Sequence, residues 1–180
     1  MTETSDLLAA LAAARSALLK TADGLTDEQA AARPTVSSLC IGGVIKHVLA
    51  MEEQWLRFAV EGASAMPHEL PDGVTWDDVM TGAAPPPQWM IDHQNGFQML
   101  PGDTLADLRT RYEKVAARTA EIAATVDLDS SQALPAAPWL EPGDSYTVRR
   151  VIIHVTAETA HHAGHADILR ESLDGPTAGR

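Results

Sequence analysis

From Val148 to Glu171 the chain reads VRRVIIHVTAETAHHAGHADILRE, and its apolar residues recur at the period of an α-helix. Each helical residue advances about 100° around the axis, which puts Val148, Val151, Val155, Thr159, Ala166 and Leu169 on one arc of roughly 80° and Arg149, Arg150 and Asp167 well away from it. Such a stripe has to be buried against neighbouring elements. The same stretch holds four of the seven histidines and one glutamate, Glu158. Measured from the centre of the stripe, His162 lies within about 20 to 30°, Glu158 about 60° away, and His165, His154 and His161 progressively further round. Glu158 and His162 are four apart, so their side chains stack on one face. A carboxylate and an imidazole at the edge of an apolar stripe need a partner, because burying an unpaired charge is costly. A cation answers that need. A hydrogen-bonded core histidine, or a run of surface histidines, is the competing reading, and a third ligand elsewhere decides between them.

The rest of the chain offers that ligand on another helix. Residues 5 to 22 form an Ala/Leu-rich helix with Thr4, Ser5 or Asp6 as cap and Gly24 past its end, and Thr26 caps a short helix that Pro34 closes. From about Ser38 to Val60, the residues Ile41, Val44, Val48, Met51, Trp55 and Phe58 recur at three- and four-residue steps and make a second long amphipathic helix. His47 sits at the edge of that inward face. Residues 61 to 101 dissolve into Gly, Pro, Asp and scattered Trp, too long a stretch for an inert connection, and read as a cover over a site with short helices near 75–81 and 87–98. A third long helix runs from a cap at Asp103 or Thr104 to before Asp127. Residues 127 to 146 read as a Pro-containing loop, and Ser145 or Thr147 caps the last helix. Four long amphipathic helices without strand alternation predict an all-α fold, an antiparallel four-helix bundle with long connecting loops and crossover connections, in one domain spanning 1–180.

Charge narrows the function. A formal net charge of −12 argues against nucleic acid and against an anionic membrane surface, both of which need a basic footprint. The N-terminus carries acidic residues where a signal peptide is positive, and no apolar run reaches the length of a membrane span. A cytoplasmic protein is expected. The single cysteine, Cys40, excludes an internal disulfide and any cysteine-rich zinc site; it reads as a small buried hydrophobe rather than a nucleophile.

The segments TDEQAAARP, LCIGGVIKHVLAMEEQWLRF, PGDTLADLRTRYEKVAART and VRRVIIHVTAETAHHAGHADILRE together resemble the DinB-like superfamily over nearly the whole chain. The most specific pieces are His47 with Glu53 and Trp55 downstream, and the run from Glu158 to Asp167. The resemblance implies a four-helix bundle, often a homodimer, that holds one divalent metal on a histidine of the second helix and two ligands four apart on the last. Many members carry histidine at both of those last positions, followed by Arg-Gly. Here they are Glu158 and His162, followed by Ala163 and Gly164, an arrangement similar to mycothiol-dependent maleylpyruvate isomerase. The expected metal ligands are therefore His47, Glu158 and His162. His161 with His165, and His162 with His165, stand as alternative pairs. His154 can hydrogen-bond Glu158 from one turn before it, and His68 and His93 fall in the long loop as exposed polar residues.

Two imidazoles and one carboxylate with an open position make a catalytic rather than a structural zinc site, and the same set accepts nickel or iron. A metal there acidifies a bound water or thiol. The expected activity is a metal-dependent thiol S-transferase or isomerase acting on a low-molecular-weight thiol of the mycothiol kind and an electrophilic substrate, with His165 as general base. A non-catalytic metal-binding stress-response module and a metal-dependent hydrolase are the competing readings. Trp55, Trp76 and Trp89 are candidates for a pocket wall. The charge balance makes one prediction directly: at micromolar protein, duplex DNA shows no salt-sensitive mobility shift.

Overall fold

A computed structural model describes residues 2–66, 69–137, 140–141 and 143–175. The helices are α1 (Glu3–Lys20), α2 (Asp27–Ala31), α3 (Ile41–Glu61), α4 (Trp76–Thr81), α5 (Gln88–Asn95), α6 (Leu105–Thr125) and α7 (Val148–Asp174). A short 3₁₀ turn, Gly62–Ala65, follows α3. The fold is all-α apart from one antiparallel pair, β1 (Ser131–Ala133) with β2 (Ser145–Thr147), in which Gln132 faces Tyr146. That hairpin lies in the segment expected to be loop. Three-residue strands are too short to display alternation.

Helix starts follow side-chain chemistry. Thr26, Thr75, Thr104 and Thr147 each accept a hydrogen bond from a backbone N–H of the first turn that would otherwise lack a partner. Two boundaries differ from expectation. α1 begins earlier than residue 5, because Thr2 and Ser5 form a reciprocal capping box. α3 begins at Ile41 rather than Ser38, because the hydroxyls of Thr35 and Ser37 accept from the amides of Ser37 and Leu39 and hold that stretch in local turns.

The four long helices form a ring in which α1 adjoins α7, α7 adjoins α3, α3 adjoins α6, and α6 adjoins α1. Ion pairs and hydrogen bonds between helix ends fix their directions. Arg149 at the start of α7 reaches Glu3 at the start of α1 (3.1 Å), and Arg170 near the end of α7 reaches the Thr21 carbonyl just past α1 (2.8 Å), so these two run parallel. Arg109 at the start of α6 donates to the Leu19 carbonyl at the end of α1 (3.0 Å), which makes that pair antiparallel. Lys46 near the start of α3 pairs with Asp103 just before α6 (2.6 Å), which makes α3 and α6 parallel. The order is up, down, down, up. The expected antiparallel relation holds for α1 with α6 and α3 with α7 and not for α1 with α7 or α3 with α6, and the expected crossover is present: parallel α3 and α6 require the chain between them to return the length of the bundle. That return is residues 62–104, carrying α4 and α5.

α3 is buried on more of its circumference than one stripe. Ile41, Val44, Val48 and Phe58 are buried as expected, and so are Ile45, Leu49, Glu52 and Leu56, because α3 packs on both α7 and α6. Met51 and Trp55 are only half-buried. On α7 the whole expected stripe is buried, joined by Ile152 and Ala163. No described helix is long and apolar enough to cross a membrane.

Glu52 has no exposed surface. Its carboxylate accepts from Arg15 of α1 through Nε (3.0 Å) and Nη2, and from the Thr119 hydroxyl of α6 (2.5 Å); Arg15 Nη2 also donates to Thr119 (3.0 Å). Beside them lies the Tyr112 hydroxyl, whose pKa burial raises, with the nearby Glu52 charge adding to the effect. Deleting one partner of a buried ion pair leaves the other charge without compensation. Glu52→Ala is expected to lower unfolding stability in urea by roughly 3–5 kcal/mol, and Arg15→Met/Glu52→Leu to recover most of it. A loss below about 1 kcal/mol in Glu52→Ala is the value typical of a solvent-exposed pair and contradicts this account.

Candidate functional site

Because α3 and α7 run antiparallel, residues along one meet those of the other in reverse order. His47 lies against His162 with ring centres 4.9 Å apart, and two turns further along α3 Trp55 lies against His154 at 4.5 Å. Tyr146 of β2 stacks on Trp55 at 5.3 Å, and the Arg150 guanidinium sits 3.8 Å from the centre of the Tyr146 ring. The missed hairpin thus closes one end of the seam.

At the other end, His47 is 8 % exposed, and burial, with His162 and His93 nearby, pushes its pKa down to about 3. Burial likewise lowers the pKa of His162, assisted by the neighbouring His165 and opposed by the Glu158 charge. Both imidazoles are therefore neutral at physiological pH, the form that ligates metals. His162 Nε2 lies 3.8 Å from Glu158 Oε2, whose side chain is 38 % exposed. On its other edge, His162 Nδ1 lies 3.5 Å from His165 Nδ1. One ring thus faces the carboxylate through Nε2 and His165 through Nδ1.

Among the described residues, no three His, Cys, Asp or Glu side chains are already gathered as a ligand cluster. The donor chemistry nevertheless fits a divalent ion. Ligands about 2.0–2.1 Å from a tetrahedral zinc stand about 3.3–3.4 Å apart, and two imidazoles sharing it have ring centres about 5.2 Å apart. The His162–Glu158 and His47–His162 separations, 3.8 Å and 4.9 Å, lie within about half an ångström of these values.

His161 is exposed, its ring 4.5 Å from that of His165. His154 is turned onto Trp55 and Tyr146; among the described residues it makes no hydrogen bond to Glu158, and the expectation of one is not met. Cys40 is buried at the N-cap position of α3, its thiol directed at the Phe97 carbonyl (3.9 Å), which agrees with a small packed side chain. Trp76 and Trp89 pack edge to face within the cover, ring centres 6.1 Å apart, and Trp89 donates to the Glu69 carbonyl. His68 lies outside the described residues.

His93 is the site residue that sequence reasoning passed over. It belongs to α5, and its ring meets His47 edge to face with centres 5.1 Å apart. Phe97, four residues on, stacks on His47 at 3.7 Å. The four-residue spacing of His93, near the end of a short helix, and Phe97, just past it, was the available signal. Two glycines of α3 receive this segment. A Cβ at Gly43 would stand 1.9 Å from the Phe97 carbonyl oxygen, and one at Gly42 would stand 2.1 Å from Met99 Sδ. Lys46 adds a bond to the Gln98 carbonyl (3.3 Å) and Arg33 one to the Gln98 side chain (2.9 Å). The cover is seated on the first turns of α3, directly over His47.

No curated protein matches the sequence. Among solved structures, a conserved protein from Enterococcus faecalis is similar in fold, with a TM-score of 0.63 at 12% identity, covering 98% of this chain and 99% of that one. Residues 6–175 match the model of the mycothiol-S-transferase family, and the chain belongs to that family, within the DinB-like proteins whose bundle it shares.

Proposed function

We propose that this chain is a metal-dependent thiol S-transferase or isomerase that uses mycothiol or a similar low-molecular-weight thiol, with the metal held by His47, Glu158 and His162. The observation that carries the reading is the meeting of two neutral imidazoles, the buried His47 of α3 and the half-buried His162 of α7, beside the Glu158 carboxylate, in a chain of the mycothiol-S-transferase family. A divalent ion held there, with zinc favoured by two imidazoles and a carboxylate and nickel or iron able to replace it, would acidify an entering thiol so that thiolate would be available at neutral pH.

The chain's own residues do the rest. Burial holds His47 neutral, so its lone pair is available without displacing a proton. His165 Nδ1 lies 3.5 Å from His162 Nδ1, close enough to help orient the His162 ring so that its Nε2 faces Glu158. His165 takes the proton released by the thiol. The sulfur then forms a bond to the electrophilic carbon, and either a leaving group departs or, in an isomerisation, the same bond breaks again after rearrangement. The cover formed by α5 and Phe97 excludes water while this happens. No protein nucleophile is required, in agreement with the buried state of Cys40. A cytoplasmic location, where such thiols are kept reduced, belongs to the same reading.

Metal content tests the ligand set. His47→Ala, Glu158→Ala and His162→Ala are each expected to abolish stoichiometric metal while leaving the far-ultraviolet dichroism helical, and His161→Ala to keep it. Loss of metal in His161→Ala with retention in His162→Ala refutes the assignment.

Turnover tests the reaction. Metal-loaded protein incubated with mycothiol and monochlorobimane is expected to form the conjugate, with bacillithiol and glutathione as comparisons, and His47→Ala to abolish the rate. His165→Ala is expected to lose about 10² to 10⁴-fold in rate at unchanged metal content if it accepts the proton. If it only orients His162, the loss appears instead as metal affinity weakened by about 10–100-fold. Bound metal with no thiol turned over favours a binding module or a hydrolase.

A further inference from the structure

We propose that the outward face of α7 is an interaction surface for a second copy of this chain, packed antiparallel about a two-fold axis that passes between Ala160 and His161. The inference stands apart from the metal reading. Two large apolar side chains of this helix, Ile153 (51 % exposed) and Ile168 (60 % exposed), face solvent. With the exposed Ala157, Ala160 and Gly164 they fall on one arc of about 80°, almost opposite the buried stripe. Between Arg150 and Glu171 that arc carries no charge, in a chain whose formal net charge is −12. The exposed residues of α6, by contrast, include Arg111, Glu113, Lys114 and Arg118. An uncharged helix face with an isoleucine toward each end is the kind of surface that a partner covers.

The order of residues along the face says what that partner is. Measured from the point between Ala160 and His161, Ala157 and Gly164 are equally distant, as are Ile153 and Ile168, and Arg150 and Glu171. A two-fold contact between identical chains needs this arrangement, because each residue meets its counterpart from the far side of the axis. Isoleucine then meets isoleucine, alanine meets glycine, and Arg150 meets Glu171 of the partner subunit. Within one chain those two charges stand about 32 Å apart along the helix and cannot pair. A β-carbon at Gly164 would find no atom within 4 Å, so the middle of the face is open to a second helix, whose axis can approach to about 8 Å. The isoleucine pairs, about 11 Å to either side of the two-fold axis, stay within reach at a shallow crossing of about 20°. Arg150 lies at the outer end, half exposed beside Asp144 and Tyr146. One helix pair of this length is a small interface, which sets the expectation of a reversible rather than an obligate dimer.

Sedimentation equilibrium of the full-length protein from about 1 to 200 µM tests this, with far-ultraviolet dichroism as the check on folding. The wild type is expected to show a monomer–dimer equilibrium with Kd on the order of 10 µM. Gly164→Leu adds apolar surface where the single chain leaves open space, so it strengthens an unspecific apolar association but blocks a close helix crossing. That variant and Ile168→Lys are expected to stay monomeric over the whole range. Arg150→Glu and Glu171→Arg are each expected to raise Kd roughly tenfold, because each puts two like-charge pairs into the symmetric contact. The double reversal Arg150→Glu/Glu171→Arg is expected to recover most of the lost affinity, which only charges facing each other across the two-fold axis allow. A wild type that is monomeric throughout overturns the inference and leaves the face to a partner of another kind. A dimer that persists in Gly164→Leu and Ile168→Lys, or a double reversal that recovers nothing, also overturns it, since association then uses another face or another register.

Discussion

A carboxylate with no access to water has to find its cation inside the protein, and Glu52 finds it in Arg15. The pair sits where α1, α3 and α6 meet, with the Thr119 hydroxyl completing it. Sliding any of the three helices by one turn, about 5.4 Å, would strand the charge. The axial position of α3 is thereby fixed from its α1 and α6 sides, and with it the level of His47, five residues or about 7.5 Å back along the axis. On the remaining side, α7 must present to α3 a stripe of matching length. His162 stands opposite His47 because the apolar residues of both helices are already committed to the core.

The direction of α3 has a second consequence. Running parallel to α6, it forces the chain to travel back along the bundle before α6 begins, and the returning segment supplies a roof for the site. Its seat is a pair of glycines, where the lack of side chains lets the Phe97 backbone at Gly43 and the Met99 side chain at Gly42 approach the helix more closely than any other residue allows. Phe97 then lies flat on His47. The shielding that keeps His47 neutral comes from the fold and the cover together, and the neutral imidazole is the form that a metal requires. Topology, burial and ligand readiness are in this sense one property.

The far end of the α3–α7 seam is built differently. Trp55, His154 and Tyr146 pack there with Arg150 over the tyrosine face, about 12 Å along α7 from His162 to His154 by helical rise. One end gathers imidazoles and the other aromatic rings, with Glu158 between them along α7, and the aromatic end depends on β2 delivering Tyr146 immediately before α7 starts.

Much of this was legible in the sequence for a clear reason: helix periodicity is a local property. The stripe from Val148 to Leu169, the threonine caps at 26, 104 and 147, and the positions of His47, Glu158 and His162 relative to their inward faces all follow from residues within a few turns of one another. What escaped depends on partners distant in the chain. The burial of Glu52 is intelligible only with Arg15, 37 residues earlier, and Thr119, 67 later, in place. Three-residue strands carry no periodicity, so the β1–β2 hairpin and the placement of Tyr146 came from pairing alone. His93 looked like one more polar residue of a loop, and only the seating of that loop on Gly42 and Gly43 brought it to His47. The sequence by itself determined which faces of the helices are apolar and which histidine and carboxylate side chains border them, because those are angles about a single axis. The tertiary structure decided the order and direction of the helices and which residues of the cover reach the site, because these depend on contacts between axes that no local pattern encodes.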